Sequence, residues 1–187
     1  MQQVTDTHFH ITCRTYPPSL ANSWLGEPMS QPGYYSTKTD WTEDDLRGVM
    51  KSSAEGGFDV QRAVFIQCFN EPPLEEARWI LDLIGTPGSA ICGLVACIPV
   101  PDGAAAVNDF LDALRGDDGA LPAGLKGGRV AFAEGLCSPA FLEGLGALGA
   151  AGLSWDFCIR AEDIALVSFY MKMKISSLEN EESFTRK

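Results

Sequence analysis

Histidine, cationic charge and long apolar runs are all scarce in this chain. Its 187 residues hold 14 Lys+Arg against 25 Asp+Glu, a formal net charge of −11. Duplex binding needs a cationic face, so nucleic acid is excluded as a partner, and the same acidity disfavours an anionic membrane. No stretch approaches the ~20 apolar residues of a membrane span. Residues Met1 to Asp6 lack the basic patch and apolar core of a signal peptide, and the expected location is cytoplasmic. No two of the six cysteines form a C-x-x-C pair, which argues against a disulfide framework or a thiolate zinc site. Cys68, Cys92, Cys97 and Cys158 lie in apolar runs and read as reduced core thiols. Only two histidines are present, His8 and His10.

What is there is ordinary for a globular enzyme: 45% hydrophobic and 21% charged residues, in a length that suits one domain. Apolar runs predict strands near 4–11, 59–68, 90–100, 125–132 and 153–159, the fourth weakened by Gly127 and Gly128. Helices fall between them. Thr42 with Asp45 forms a capping-box pattern ahead of Leu46, Val49 and Met50, and Gly56-Gly57 stops that helix. Pro72-Pro73 opens the next, with Leu74, Ala77, Leu81 and Ile84 on one face; Val107, Phe110, Leu111 and Leu114 mark a third. Ser138 caps a fourth, with Pro139 at its first position and Gly152 past its end.

Strands alternating with helices imply right-handed βαβ units and a parallel sheet. A doubly wound open sheet and a β/α barrel both fit, but a complete barrel typically needs about 250 residues. The expected fold is therefore α/β, a partial TIM-type barrel of five parallel strands with outer helices. Residues 1–165 form its body, and 166–187 a divergent C-terminal helix and polar tail. The Pro- and aromatic-rich segment from Cys13 to Trp41 is either a lid or substrate wall, or an insertion that covers the sheet edge. An open sheet also leaves the edges of the first and fifth strands available for self-association.

The sharpest chemical feature is V-T-D-T-H-F-H at 4–10. Strand alternation puts Asp6, His8 and His10 on one face. Two imidazoles two residues apart at the carboxyl end of a parallel strand can reach one divalent ion. A pair of ordinary polar histidines is the alternative.

D-T-H-F-H resembles the opening of the amidohydrolase superfamily, and in particular its amidohydrolase-related branch of sugar lactonases and 2-pyrone-4,6-dicarboxylate lactonase-like enzymes. Other stretches follow in the same order: Tyr16-Pro17 and Trp24, A-V-F-I-Q at 63–67, E-E-A-R at 75–78, G-L-V-A at 93–96, G-L-K-G-G-R at 124–129 and L-S-W-D-F-C-I at 153–159. The resemblance covers residues 3 to about 166, five units of an eight-unit barrel. It implies a metal-dependent hydrolase in which metal-activated water attacks a lactone or amide carbonyl. His8 and His10 match the metal pair, for zinc or, alternatively, manganese. Arg129 matches a substrate anchor, Glu134 falls where some members place a bridging carboxylate, and Gln67 is a candidate pocket residue. The partner implied is a small carbonyl-containing substrate. The later strands of the family supply another histidine and an aspartate acting as general base; this chain has no third histidine, and its general base is unassigned. Impaired catalysis is expected. A catalytically incompetent binding partner and an unrelated open α/β domain without metal are the competing readings.

Overall fold

In a computed structural model, residues 2–11, 42–68, 70–130, 135–165, 167 and 168 are described. Five strands, β1 (Gln2–Phe9), β2 (Phe58–Ile66), β3 (Ile91–Ala96), β4 (Leu125–Gly128) and β5 (Ser154–Trp155), form one sheet in sequence order. Every neighbouring pair is parallel. The sheet curls into a half-barrel with helices outside, the partial TIM-type architecture expected. Four α-helices connect the strands: α1 (Glu43–Ser53), α2 (Pro73–Gly85), α3 (Ala104–Asp112) and α4 (Pro139–Ala150).

The helices begin where the local chemistry says they should. The Asp45 carboxylate accepts from the Thr42 backbone N–H at 2.9 Å and from its hydroxyl at 3.0 Å, fixing the start of α1. Ser138 Oγ accepts from the Phe141 N–H at 3.2 Å, and Pro139 occupies the first turn of α4. Gly57 and Gly152 both adopt positive φ just past a helical segment.

Three strands are shorter than their apolar runs. β3 stops at Ala96 because Pro99 and Pro101 cannot donate to a ladder, and residues 100–102 turn into a 3-10 helix instead. β4 keeps four residues and β5 two. The helix faces also differ in detail. Val49 is 57% exposed, so α1 buries only Leu46. On α2 the buried residues are Glu76, Ala77 and Ile80, whereas Leu81 and Ile84 are half-buried. Cys68 is buried, and Cys92, Cys97 and Cys158 are partly so.

The core lies between the middle strands and the helices, with Phe65, Ile80, Leu94, Val107, Leu111 and Phe141 excluded from solvent. Gly144 lets α4 settle on the turn at 100–102: a Cβ there would overlap the Val100 carbonyl oxygen. Gly127 does the same between strands, since a Cβ would overlap the Ser154 backbone. β1 and β5 form the two edges of the sheet. No helix among the described residues is long and apolar enough to cross a membrane.

Candidate active site

The carboxyl end of β1 carries the histidine pair. His8 Nε2 and His10 Nε2 lie 3.3 Å apart, with ring centroids 5.1 Å apart and the planes nearly perpendicular. The β1–β2 register shifts between Asp6 and Phe9, and the Asp6 carboxylate accepts the His8 backbone N–H at 3.0 Å. His10 is held by β2, its Nδ1 2.8 Å from the Ile66 carbonyl oxygen. A carbonyl only accepts, so Nδ1 carries the proton and donates it. Burial, partly offset by that bond and reinforced by the nearby His8 and Arg129, lowers the His10 pKa from 6.5. At neutral pH its Nε2 therefore presents a lone pair.

Arg129 follows β4 directly. Its backbone N–H donates to the Ala96 carbonyl at 2.8 Å, extending the β3–β4 ladder by one residue. Its Nη1 lies 3.3 Å from His8 Nε2 and 3.4 Å from Asp156 Oδ2. A guanidinium only donates and stays charged, so with the His8 proton on Nδ1 the His8 Nε2 accepts from Arg129, and with it on Nε2 the same atom donates to His10 Nε2. In the first tautomer two imidazole lone pairs face each other across 3.3 Å. Two nitrogens at about 2.0–2.1 Å from one tetrahedral zinc ion stand roughly 3.3 Å apart, so the pair fits the edge of such a site. Among the described residues no third His, Cys, Asp or Glu gathers with them into a group able to hold a metal.

His8, His10 and Arg129 thus meet on one rim. Glu134 lies outside the described residues, as do Tyr16, Pro17, Trp24 and the rest of the 13–41 segment. Gln67 is 1% exposed, and its backbone N–H donates to the Val95 carbonyl at 2.8 Å, so it is a buried position in the sheet. Two residues escaped the sequence reading. Asp156, just past β5, donates its backbone N–H to the Gly128 carbonyl at 2.9 Å and so sits beside Arg129. Glu76 is 1% exposed. Its Oε1 accepts from the Cys68 N–H at 3.0 Å and from Asn70 Nδ2, pinning the loop after β2. Burial raises its pKa from 4.5 to about 7 against the pull of those bonds. Spacing held a signal for Glu76, because 76, 80 and 84 share a helix face with Ile80 and Ile84. Asp156 had none beyond its place at a strand end.

An apolar cavity of about 570 Å³ opens among the loops after β2, β3 and β4, lined by Pro72, Leu74, Cys97, Pro99, Phe110 and Val130 among others. His8, His10 and Arg129 are not part of its wall.

With this geometry in view, the solved structures give a clear relation. The fold is similar to that of an amidohydrolase. "Amidohydrolase 2" from Bifidobacterium longum subsp. infantis superposes with a TM-score of 0.61 at 22% identity, over 92% of this chain. A probable 2-pyrone-4,6-dicarboxylic acid hydrolase from Acinetobacter baumannii matches 81% of this chain at 13% identity, with a TM-score of 0.46, and 47% of its own length is covered. The chain spans 58% of the length of the Bifidobacterium protein. No protein-family model matches the chain, and no curated protein matches it.

Proposed function

We propose that this chain carries the metal-binding end of a hydrolase site of the amidohydrolase type, directed at a lactone or amide carbonyl. The observation that carries the reading is the pair of Nε2 atoms 3.3 Å apart, the His10 ring being held by the Ile66 carbonyl. His8 and His10 hold the ion, zinc or alternatively manganese, and Glu134 is the proposed further ligand. A divalent ion bound there supplies Lewis acidity and a lowered pKa for bound water. The chain's own residues do the rest. The Ile66 carbonyl keeps His10 in the tautomer that ligates, as outer partners of metal-bound histidines do elsewhere. Arg129, 12% exposed in its side chain, offers a guanidinium to a carboxylate or other oxygen-rich end of a small carbonyl-containing substrate.

Turnover by the 187-residue chain is proposed to be slow. Catalytic zinc sites generally use three protein ligands, and an absent general base costs about 10²–10⁴-fold in rate. The purified chain, loaded with zinc or manganese and dialysed, is assayed for bound metal and against a lactone and amide panel. Metal that is lost on simple dialysis but retained with excess ion, and abolished by His8→Ala or His10→Ala, supports the reading. Metal binding that ignores both substitutions overturns it. Stoichiometric metal through dialysis with kcat on the order of 1 s⁻¹ or more overturns the slow turnover.

The two-donor set among the described residues also favours a second reading, a non-catalytic member that binds its ligand without hydrolysing it. Loss of metal binding in the histidine variants, with no turnover of any substrate at saturating metal, selects that reading.

A further inference from the structure

Arg129 is oddly placed for a residue beside a metal pair. Its Nη1 approaches the very lone pair, His8 Nε2, that a cation needs, and it does so at 3.3 Å. Asp156 Oδ2 competes for the same Nη1 from the other side at 3.4 Å. Both contacts are longer than the usual ~2.7–3.2 Å of an N–H donor, so the guanidinium lies between two acceptors and is saturated by neither. Its Nε is buried and makes no hydrogen bond among the described residues. A buried donor without a partner costs free energy, so this placement of the side chain is not a deep minimum.

The backbone, by contrast, is fixed on both sides. Arg129 is tied to Ala96 at 2.8 Å and Asp156 to Gly128 at 2.9 Å. Only the side chain has freedom to redistribute, and it has two places to go: toward the imidazole or toward the carboxylate. A divalent ion on the His8–His10 edge would take the lone pair that Arg129 uses and would repel its positive charge.

We infer that Arg129 is an internal competitor for the metal, and that Asp156 is the positioning residue which draws the guanidinium off His8 and so frees the site. This rests on the reading of His8 and His10 as ligands. It gives the Arg129–Asp156 pair a function distinct from substrate anchoring, and it links the two: a substrate carboxylate that takes hold of Arg129 would relieve His8 as Asp156 does. Cation affinity then falls when Asp156 is neutralised and rises when Arg129 is.

The test is Co²⁺ affinity, read from the visible absorption of the bound ion and checked by Zn²⁺ displacement, on the full chain. The variants are Arg129→Met, Arg129→Gln, Arg129→Lys, Asp156→Asn and the Arg129→Met/Asp156→Asn pair, with His8→Ala and His10→Ala as controls and circular dichroism to verify folding. Arg129→Met and Arg129→Gln are expected to bind Co²⁺ more tightly, by a factor of about 5–150, the usual range for coupled sites. Arg129→Lys keeps the charge and stays within a few-fold of the parent. Asp156→Asn binds less tightly in the parent but makes no difference in the Arg129→Met background, because Asp156 acts only through Arg129.

Unchanged or weaker binding in both neutral Arg129 variants overturns the inference. So does an Asp156→Asn loss that persists without Arg129, which would make Asp156 a direct ligand. If the histidine controls lose Co²⁺ while the Arg129 variants gain nothing, the inference alone falls. If the histidine controls bind as well as the parent, or no variant binds at all, the metal site itself falls, and the inference with it.

Discussion

The middle of the sheet and its two edges are built on opposite terms. The carboxyl half of β2 and most of β3 are sealed: Ala63, Phe65, Ile91 and Leu94 are at most 2% exposed, and even the polar Gln67, Asn70 and Glu76 behind them are 1% exposed. The groups with available chemistry sit instead at strand ends on the first, fourth and fifth strands. His8 is exposed, His10 keeps an exposed edge while its ring packs against β2, and Asp156 is half-exposed. Stability is concentrated where the chain is dry, and reactive groups where packing is thin. Polar side chains with spare hydrogen-bonding capacity are tolerated at an edge and costly in the centre.

Leu94→Ala is the largest way to probe this contrast. A fully buried leucine on the central strand is expected to cost about 2–5 kcal/mol in denaturant unfolding. His8→Ala, by comparison, should stay within roughly 0.5 kcal/mol while losing cation binding. A His8→Ala penalty as large as that of Leu94→Ala would erase the division between centre and edge.

Glu76 comes next. Its folded pKa of about 7 exceeds its ordinary 4.5, so the folded state holds the proton more tightly than the unfolded chain. Stability therefore falls as pH rises through the window from 4.5 to about 7 and levels off above it, with a full range on the order of 3 kcal/mol. Glu76→Gln keeps an oxygen for Cys68 and Asn70 but cannot ionise. Urea titrations across pH 4–8 are expected to show the slope flattened in this variant and the variant more stable than the parent at pH 8. Glu76→Ala, which strands both donors, should instead lose about 1–3 kcal/mol at low pH.

A smaller effect attends the caps. Ser138→Ala removes the acceptor for the Phe141 N–H and is expected to lower stability by about 1 kcal/mol, visible as a shift in the urea midpoint with an unchanged slope.

The legibility of the sequence follows the same divide. Local, short-range signals read well: the capping residues, the proline at the start of α4, the H-x-H spacing that leaves the His8 and His10 rings side by side at the end of β1. These depend on neighbours within a few positions. Strand ends read poorly, because apolar residues at 97–100 pack against the core without extending β3, and those at 157–159 are partly buried with only an isolated bridge at Cys158, and hydropathy does not separate such cases from a strand. Glu76 was hidden by its company in E-E-A-R, where it looks like any solvated acid; only its register with Ile80 betrays it. Asp156 meets Arg129 across strands, 27 residues on in sequence (156 − 129), and such a partner emerges only when the strands are laid side by side. The contact between Arg129 and His8 spans 121 positions, and nothing local in either segment announces it.

Gly127 has a consequence beyond packing. Because it carries no side chain, the Ser154 backbone presses directly against β4, and two residues further on this delivers the Asp156 carboxylate to Arg129. A single methyl group at position 127 would push β5 outward, and the guanidinium would lose its counterweight. An absence of mass in the fourth strand is thereby converted into a distance between two charges, so the charge balance beside His8 is set by a residue that has no charge and no side chain at all.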